Sequence, residues 1–300
     1  METKFISLTS GITAAYRQAP ANPNPANPTL VLLHSFLTSL ELYGPQFNNS
    51  KLTSKVNLLA IDEIGHGKTK GPTGWSYWTT AQMVLDLTDA LDIPKVYALG
   101  TSQGGFIVSR MAILRPDKVL GIIPIGSSVY AETEDTRELG CWNAPQVFPP
   151  WYRALYSPGP NSTFEAPSFF SDDLIDVGFG DVVTKEQHAY WTQSIRDTYR
   201  GDEGRKKMLM CTTCLGDRDS LEFRLPEITC PVLIPHGTKD RVYSVALAEK
   251  YAKLFTSAPS VLLKVIDEGQ HFLSASHPKE TDEIVLNWIL DCEGKRLAYK

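Results

Sequence analysis

The sequence has no apolar segment long enough to cross a membrane and no excess of basic residues. A spanning helix needs ~18 apolar residues in succession, and no run approaches that length. The first residues lack the basic stretch and apolar core of a signal peptide. The 29 Lys and Arg against 34 Asp and Glu give a net charge of -5, which argues against nucleic acid or an anionic membrane as the main partner. We therefore expect a cytoplasmic protein with no membrane span and no nucleic-acid partner.

Cysteine is scarce, and the common cofactor motifs are missing. The 5 cysteines are Cys141, Cys211, Cys214, Cys230 and Cys292. An odd, scattered set without a secretion signal favours free thiols. Cys211 and Cys214 have C-x-x-C spacing, but a zinc site would need a second pair or a nearby histidine pair, so buried thiols are expected. With neither G-x-x-x-x-G-K-[ST] nor a G-x-G-x-x-G after a strand, no cofactor and no metal site are expected.

What the chain does have is a large apolar fraction, 42% of its 300 residues, which can form a sizeable core. Short runs rich in Val, Ile and Leu are typical of parallel strands buried on both faces. They cover Thr29–Leu33, Val56–Ile61, Lys95–Leu99, Val119–Ile125, Cys230–Pro235 and Val261–Ile266. Segments with apolar residues at helical spacing lie between most of these strands. Two shorter strands are expected at 4–8 and 12–17. The alternation predicts an α/β fold with a mostly parallel sheet and helices on both faces.

The middle of the chain breaks this alternation. Residues 128–226 contain many aromatic side chains and no apolar strand run, and helical segments are expected near 185–199 and 203–215. We therefore expect a mainly helical insertion at 128–226. It divides the core into a first part at 1–127 and a second part at 227–300.

The sharpest motif is Gly100-Thr-Ser102-Gln-Gly104, which follows a predicted strand and precedes a predicted helix. A strand that turns at once into a helix forces the residue between them into strained backbone angles, and glycines on either side remove clashing Cβ atoms. The serine hydroxyl is then held at the carboxyl edge of the sheet, above a helix N-terminus. An ordinary Gly/Ser turn is the alternative, but the strand and helix context favours a nucleophile elbow.

A serine nucleophile needs a base and an acid that orients the base. His271 follows the last predicted strand, and Asp240 lies in the loop after the strand before it. The order Ser102, Asp240, His271 matches nucleophile, acid and base. The other histidines are His34, His66, His188, His236 and His277, of which His236 also ends a strand and stays open as a base. The other carboxylates considered are Asp217, Asp219, Asp267 and Glu268, the last two being too close in sequence to His271 to orient it easily.

Two backbone N–H groups are expected to form an oxyanion hole. One is that of Gln103, directly after the nucleophile. The other belongs to the loop Leu33-His34-Ser35-Phe36, where Phe36 is the best candidate. Such donors matter because negative charge develops on the carbonyl oxygen in the transition state.

With these motifs in this order, the chain resembles the α/β-hydrolase superfamily over nearly its whole length. A further match is Asp62-Glu-Ile-Gly-His-Gly-Lys-Thr69, which looks like the structural Asp-x-x-Gly-x-Gly-x-Ser turn of that family. The resemblance is to the lid-bearing branch of serine esterases, lactonases and C–C hydrolases, and it implies that residues 128–226 form a lid. The family usually has His-Gly where this chain has His34-Ser35, so Ser35 either narrows the oxyanion loop or adds a hydroxyl donor.

The resemblance implies hydrolysis of an ester or lactone of a small, apolar or aromatic substrate through an acyl-enzyme. A serine nucleophile argues against the epoxide hydrolases and haloalkane dehalogenases, which need an aspartate. Trp142, Trp151 and Trp191 are candidates for lining the substrate pocket, although packing within the lid is the alternative for most aromatics. C–C bond hydrolysis or acyl transfer would use the same triad, and a non-catalytic ligand-binding protein on this fold is a third possibility. The oligomeric state is left open.

Overall fold

The computed structural model describes residues 2–298, without the side chain of residue 297. Its centre is a single mixed sheet of eight strands. The strands are β1 (Lys4–Ser7), β2 (Thr13–Ala19), β3 (Thr29–Leu33), β4 (Asn57–Ile61), β5 (Val96–Thr101), β6 (Val119–Ile125), β7 (Val232–Gly237) and β8 (Val261–Ile266). Their order across the sheet is β1-β2-β4-β3-β5-β6-β7-β8. β2 pairs antiparallel with β1 and β4, and every later pair is parallel, as between Leu33 and Ile61 of β3 and β4. The predicted mostly parallel sheet is confirmed.

Helices cover both faces of this sheet. They are α1 (Gly44–Phe47), α2 (Ser50–Thr53), α3 (Tyr77–Ala90), α4 (Gln103–Leu114), α5 (Glu134–Glu138), α6 (Ala144–Leu155), α7 (Ser168–Phe179), α8 (Lys185–Thr198), α9 (Gly201–Gly216), α10 (Val245–Ala252), α11 (Leu273–Ser276) and α12 (Pro278–Ala298). Single 3₁₀ turns lie at Leu40–Tyr43, Gly180–Val182 and Leu225–Glu227.

Side-chain alternation along β3 explains why the helices form two layers. Val31 and Leu33 belong to the core cluster that includes residues of α3 and α4, whereas Leu30 and Leu32 belong to the cluster that includes residues of α12. Successive residues of a strand point to opposite faces, so a continuous apolar run needs cover on both sides. This is the α/β class expected from the sequence.

The turn at residues 62–69 after β4, called the Asp62 turn below, connects β2 and the 3₁₀ turn at Leu40 through hydrogen bonds. The Asp62 carboxylate accepts hydrogen bonds from the Leu40 N–H and the Lys68 N–H, both at 2.8 Å. The Thr69 hydroxyl donates to the Asp62 carbonyl at 2.6 Å and accepts from the Ala15 N–H at 2.9 Å. Burial raises the pKa of the Asp62 carboxyl to about 6, although these N–H donors counteract it. The motif is therefore structural, as the family resemblance implies, and Thr69 serves in place of the usual serine.

The chain between β6 and β7 contains the helices α5 to α9. Two of them agree closely with the sequence expectation, since α8 spans Lys185–Thr198 and α9 spans Gly201–Gly216. Cys211 and Cys214 lie on α9 as buried free thiols. Residues 1, 299 and 300, at the outer limits of the expected core parts, lie outside the described residues. Across residues 2–298, no helix combines the length and apolarity needed to cross a membrane.

Candidate active site

Ser102 occupies the junction between β5 and α4 in a backbone conformation that is unusual for a residue with a side chain. Its φ is 54° and its ψ is -110°, whereas most non-glycine residues have negative φ. The flanking glycines make this turn possible. A Cβ on Gly100 would lie 2.1 Å from the carbonyl of Gly104, and a Cβ on Gly104 would lie 2.2 Å from the carbonyl oxygen of Leu33. The G-x-S-x-G spacing therefore has a direct steric cause here.

Backbone hydrogen bonds hold this turn in place. The Ser102 N–H donates to the Ile125 carbonyl at 2.8 Å, and the Ser127 hydroxyl donates to the Ser102 carbonyl at 2.9 Å. The Gly104 N–H donates to the His34 carbonyl at 3.1 Å, which joins α4 to the loop after β3. The turn that contains Ser102 is consequently held on one side by β6 and the segment after it, and on the other side by the loop after β3.

His271 and Asp240 meet in loops that follow β8 and β7. The Nδ1 atom of His271 lies 2.9 and 3.0 Å from the two carboxylate oxygens of Asp240. The Asp240 side chain is completely buried, and that of His271 is 4% exposed. Because Asp240 engages Nδ1, the Nε2 atom of His271 is the ring nitrogen left for proton exchange.

The surroundings of Asp240 stabilise its charged form. Burial alone raises the pKa of the carboxyl, but His271 outweighs it with help from His236 and the Tyr243 N–H, and the pKa is lowered. The N–H groups of Val242 and Tyr243 donate to Asp240 at 2.8 and 2.9 Å. His236 approaches the carboxylate to 3.7 Å, and its Nε2 atom lies 2.8 Å from the Tyr243 carbonyl oxygen. His236 thus packs against the acid rather than lining the cavity that Ser102 and His271 share.

The two backbone N–H groups expected to form the oxyanion hole are both free. Within residues 2–298, the N–H of Phe36 and that of Gln103 have no protein acceptor. Gln103 is the first residue of α4, where helix N–H groups point outward without an intrahelical partner. The loop that contains Phe36 continues into Leu37, whose φ is 53°. These features leave two donors available beside Ser102.

Ser102 and His271 both open into a cavity of about 360 Å³ with mostly apolar walls. Its lining residues are Ser35, Phe36, Ser102, Trp142, Val147, Trp151, Asp173, Leu174, Val177, Leu215, Val242, Tyr243, His271 and Phe272. The walls combine loops at the carboxyl edge of the sheet with side chains from α6, α7 and α9. Ser35 is among them, and its hydroxyl makes no hydrogen bond within the described part of the chain.

The three candidate tryptophans do not share one location. Trp142 and Trp151 line the cavity, and Trp151 stacks on Phe36 with ring centroids 5.6 Å apart. Trp191 does not line it, which corrects the sequence expectation. Its indole is buried beside Phe179 in a separate apolar cluster, because α8 turns that face toward α7. Trp191 therefore packs helices together.

Sequence reasoning missed a buried polar cluster behind the nucleophile. The Gln103 side chain donates from Nε2 to a carboxyl oxygen of Glu63, and it accepts from the Tyr77 hydroxyl at 3.1 Å. Burial raises the pKa of Glu63 well above its ordinary value, although the Gln103 hydrogen bond opposes the rise, so the uncharged carboxyl is favoured. The available signal was the position of Glu63, directly after Asp62 in the turn.

A larger cavity of about 510 Å³ lies at the opposite, amino end of the strands. It is lined by the proline-rich loop before β3, the starts of β3 and β4, and the α12 residues Glu293 and Arg296. Neither Ser102 nor His271 reaches it, so it is not the candidate active site.

The chain is similar in sequence to known proteins over most of its length. A family model described as the alpha/beta hydrolase fold matches residues 28–278. A Bacillus subtilis protein named "Putative 2-succinyl-6-hydroxy-2,4-cyclohexadiene-1-carboxylate synthase" is 31% identical over 309 residues, covering 96% of this chain and 99% of that one. A Stutzerimonas stutzeri protein named "Putative carbamate hydrolase RutD" is 23% identical over 285 residues, covering 91% and 96%.

Similarity to solved structures extends over almost the whole chain. The enol-lactonase of Burkholderia xenovorans LB400 superposes with a TM-score of 0.74 at 20% sequence identity. The superposition covers 96% of this chain and 100% of the enol-lactonase chain. At this level of identity the likeness concerns the fold.

Proposed function

The chain belongs to the α/β-hydrolase family, and from this premise we propose that it cleaves an ester or lactone through Ser102, His271 and Asp240. One observation carries the proposal. A strained serine and a histidine oriented by a buried carboxylate open into the same apolar cavity. The serine–histidine–carboxylate arrangement is recognised by its geometry and by the role of each group.

In the acylation step, Ser102 Oγ attacks the substrate carbonyl and His271 Nε2 takes its proton. Asp240 keeps the proton of His271 on Nδ1 and stabilises the imidazolium that forms. The N–H groups of Phe36 and Gln103 receive the negative charge on the carbonyl oxygen. His271 then protonates the leaving alcohol or enol as the tetrahedral intermediate collapses.

In the second step, His271 Nε2 takes a proton from water, which attacks the acyl-enzyme. The acid product leaves when Ser102 regains its proton from His271. In a lactone the leaving oxygen stays attached to the acyl chain, so a single hydroxy acid is released.

The helices α6, α7 and α9 supply the wall of the cavity that selects the substrate in this proposal. With α5 and α8 they belong to the expected lid at residues 128–226, between core parts at 1–127 and 227–300. Three of these helices contribute lining residues, for example Trp151 of α6, Val177 of α7 and Leu215 of α9. A substrate that enters this cavity is shielded from water on the side away from the sheet, which strengthens the electrostatic contribution of the oxyanion donors.

The size and lining of the cavity support a small, largely apolar or aromatic substrate. Its volume of about 360 Å³ lies at the lower end of the range typical of small-molecule sites, roughly 300–1,000 Å³. Lactones and carbamates, named for two similar proteins, both present an acyl carbonyl to a nucleophile. Ester or lactone hydrolysis is therefore the preferred chemistry among those that use a serine triad.

The test is hydrolysis of p-nitrophenyl acetate by the purified protein, with and without a serine-directed fluorophosphonate. We expect turnover that the fluorophosphonate abolishes, with one adduct on Ser102 by mass spectrometry. Ser102→Ala should lower kcat by at least about 10,000-fold, because the nucleophile is lost while the oxyanion donors remain. Ser54→Ala, at an exposed serine outside the cavity lining, is the control variant and should still form the adduct. Full activity of Ser102→Ala would contradict the proposal, and tight ligand binding without turnover would favour a non-catalytic receptor.

A further inference from the structure

The cavity meets a second, outer groove at Asp173, on the helix α7. This groove has a volume of about 310 Å³ and is lined by Gln146, Val147, Pro150, Trp151, Phe169 and Asp173. Val147, Trp151 and Asp173 belong to both spaces. A substrate that is longer than its scissile group passes Asp173 on the way outward from Ser102.

The wall of the cavity contains an acidic side chain and no Lys or Arg among the described residues. Among the described residues that line it, none is Lys or Arg, and the carboxylate of Asp173 is the only acidic group. Arg218 packs near the Tyr243 hydroxyl at 3.4 Å but is paired with the buried Glu132. An anionic substituent would therefore find no cation on the cavity wall to replace its hydration.

The Asp173 carboxylate has no partner of its own. Within residues 2–298 it forms neither a hydrogen bond nor an ion pair. Its neighbours differ, since Asp172 lies 3.6 Å from His188 and Asp181 lies 3.0 Å from Arg241. Partial burial raises the pKa of the Asp173 carboxyl, and the nearby carboxylates of Asp172 and Asp176 raise it further.

On this geometry, and resting on the proposed ester or lactone hydrolysis, we propose that the substrate carries a positive charge beyond its scissile carbonyl. Asp173 is the residue that selects it. An ammonium group in the outer groove pairs with the free carboxylate, beside the indole of Trp151, and aromatic walls also suit quaternary ammonium groups. The apolar inner cavity holds the acyl part. Substrates with a carboxylate at this position are rejected by repulsion and by the lack of a cation.

The experiment compares three p-nitrophenyl butanoates that differ only in the terminal group. The groups are trimethylammonium, tert-butyl and sulfonate, which have similar shapes and carry positive, no and negative charge. We expect kcat/KM for the trimethylammonium ester to exceed that for the sulfonate ester about tenfold at low salt, because the ratio combines an exposed attraction in one ester with a repulsion in the other. The preference should weaken at high ionic strength, because salt screens exposed charges.

Asp173→Asn is the test variant, and it should reduce that preference to about twofold, because the amide keeps the shape and loses the charge. Asp176→Asn is the matched control on the same helix, since Asp176 is exposed like Asp173 but lines neither the cavity nor the outer groove. It should keep the preference within about twofold of the unmodified protein. A sulfonate ester cleaved as fast as the trimethylammonium ester, or an unchanged preference in Asp173→Asn, overturns the inference. Failure of all three esters while p-nitrophenyl acetate is cleaved also overturns the inference, whereas failure of the acetate as well overturns the hydrolase function itself, so the two failures are distinguishable.

Discussion

The loops at the carboxyl edge of the sheet and the helices inserted after β6 build one cavity by different means. Asp240 accepts two backbone N–H groups and the imidazole of His271, and its side chain is completely buried. Ser102 is likewise fixed by a main-chain hydrogen bond to Ile125 of the neighbouring strand β6. Reacting groups placed by backbone geometry keep their positions when nearby side chains change.

The inserted helices contribute side chains whose positions depend on packing with other side chains. Trp151 lies between Phe36 and Phe170, with centroid distances of 5.6 and 5.0 Å, and Trp142 is half-buried beside Phe148. Packing of this kind tolerates substitution more readily than a hydrogen-bonded turn does. The contrast indicates that changes at the sheet edge should affect kcat, whereas changes in the helices should affect KM and selectivity.

The largest effect is expected from breaking the acid–base pair with Asp240→Asn. The amide cannot stabilise the imidazolium and favours the wrong tautomer of His271, so kcat should fall about 10,000-fold. Thermal unfolding would show whether the fold remains intact, and labelling by the fluorophosphonate should slow together with kcat because it needs the same activated serine.

His236→Gln tests the second histidine near Asp240 and is compared with His271→Gln. His236 lies 3.7 Å from Asp240 and outside the cavity lining, so its loss should lower kcat far less than the loss of His271 in His271→Gln. Equal losses in the two variants would contradict the assignment of His271 as the base.

A smaller effect is expected at Glu63, which acts through Gln103 and is thus a positioning residue. Glu63→Ala removes the carboxyl acceptor of the Gln103 Nε2 hydrogen bond and leaves this buried donor with only the longer contact to His66 Nε2, at 3.4 Å. The side chain of Gln103, in the first turn of α4, is then less firmly held. We expect kcat to fall about tenfold with KM little changed, and the free energy of unfolding to fall by about 1–3 kcal/mol.

Glu63→Gln tests whether Glu63 acts through its hydrogen bond to Gln103 or through a negative charge. Because burial favours the uncharged carboxyl of Glu63, an amide oxygen can accept the same hydrogen bond. Activity should stay within about twofold of the unmodified protein if the hydrogen bond is what matters. A tenfold loss in Glu63→Gln would show that an ionised carboxylate is required, against the direction of its pKa shift.

Much of the fold could be predicted from the sequence because the strands are determined by short, continuous runs of apolar residues. The apolar runs that become β3 to β6 need burial on both faces, and this requirement is visible in the order of residues. The sequence predictions for Ser102, Asp240 and His271 relied on the same property, since each follows a strand whose end lies at one edge of the sheet. Their chemical roles remain predictions that the experiments above address.

The features that escaped sequence reasoning depend on contacts between distant segments. Glu63 meets Gln103 across 40 positions of the chain, and only the fold brings α4 against the Asp62 turn. Asp173 was indistinguishable from any exposed acid on a helix until α7 was placed over the cavity. Trp191 was grouped with Trp142 because both are aromatic residues of the insertion, yet Trp142 lies in the segment before α6 and lines the cavity, whereas Trp191 lies on α8 and packs beside Phe179.

The smallest effect should come from the paired variants Trp142→Phe and Trp191→Phe, which make the same substitution at two sites in the insertion. Trp142 lines the cavity and donates from Nε1 to Glu132 at 2.7 Å, so Trp142→Phe removes both wall area and a hydrogen bond. For the tert-butyl ester we expect a rise in KM of about threefold, within the cost of one neutral hydrogen bond and a reshaped pocket. Trp191→Phe should change KM by less than about twofold while lowering the melting temperature, because a smaller ring leaves a void beside Phe179. A larger change in KM for Trp191→Phe than for Trp142→Phe would mean that the inserted helices shape the cavity through their packing as a whole.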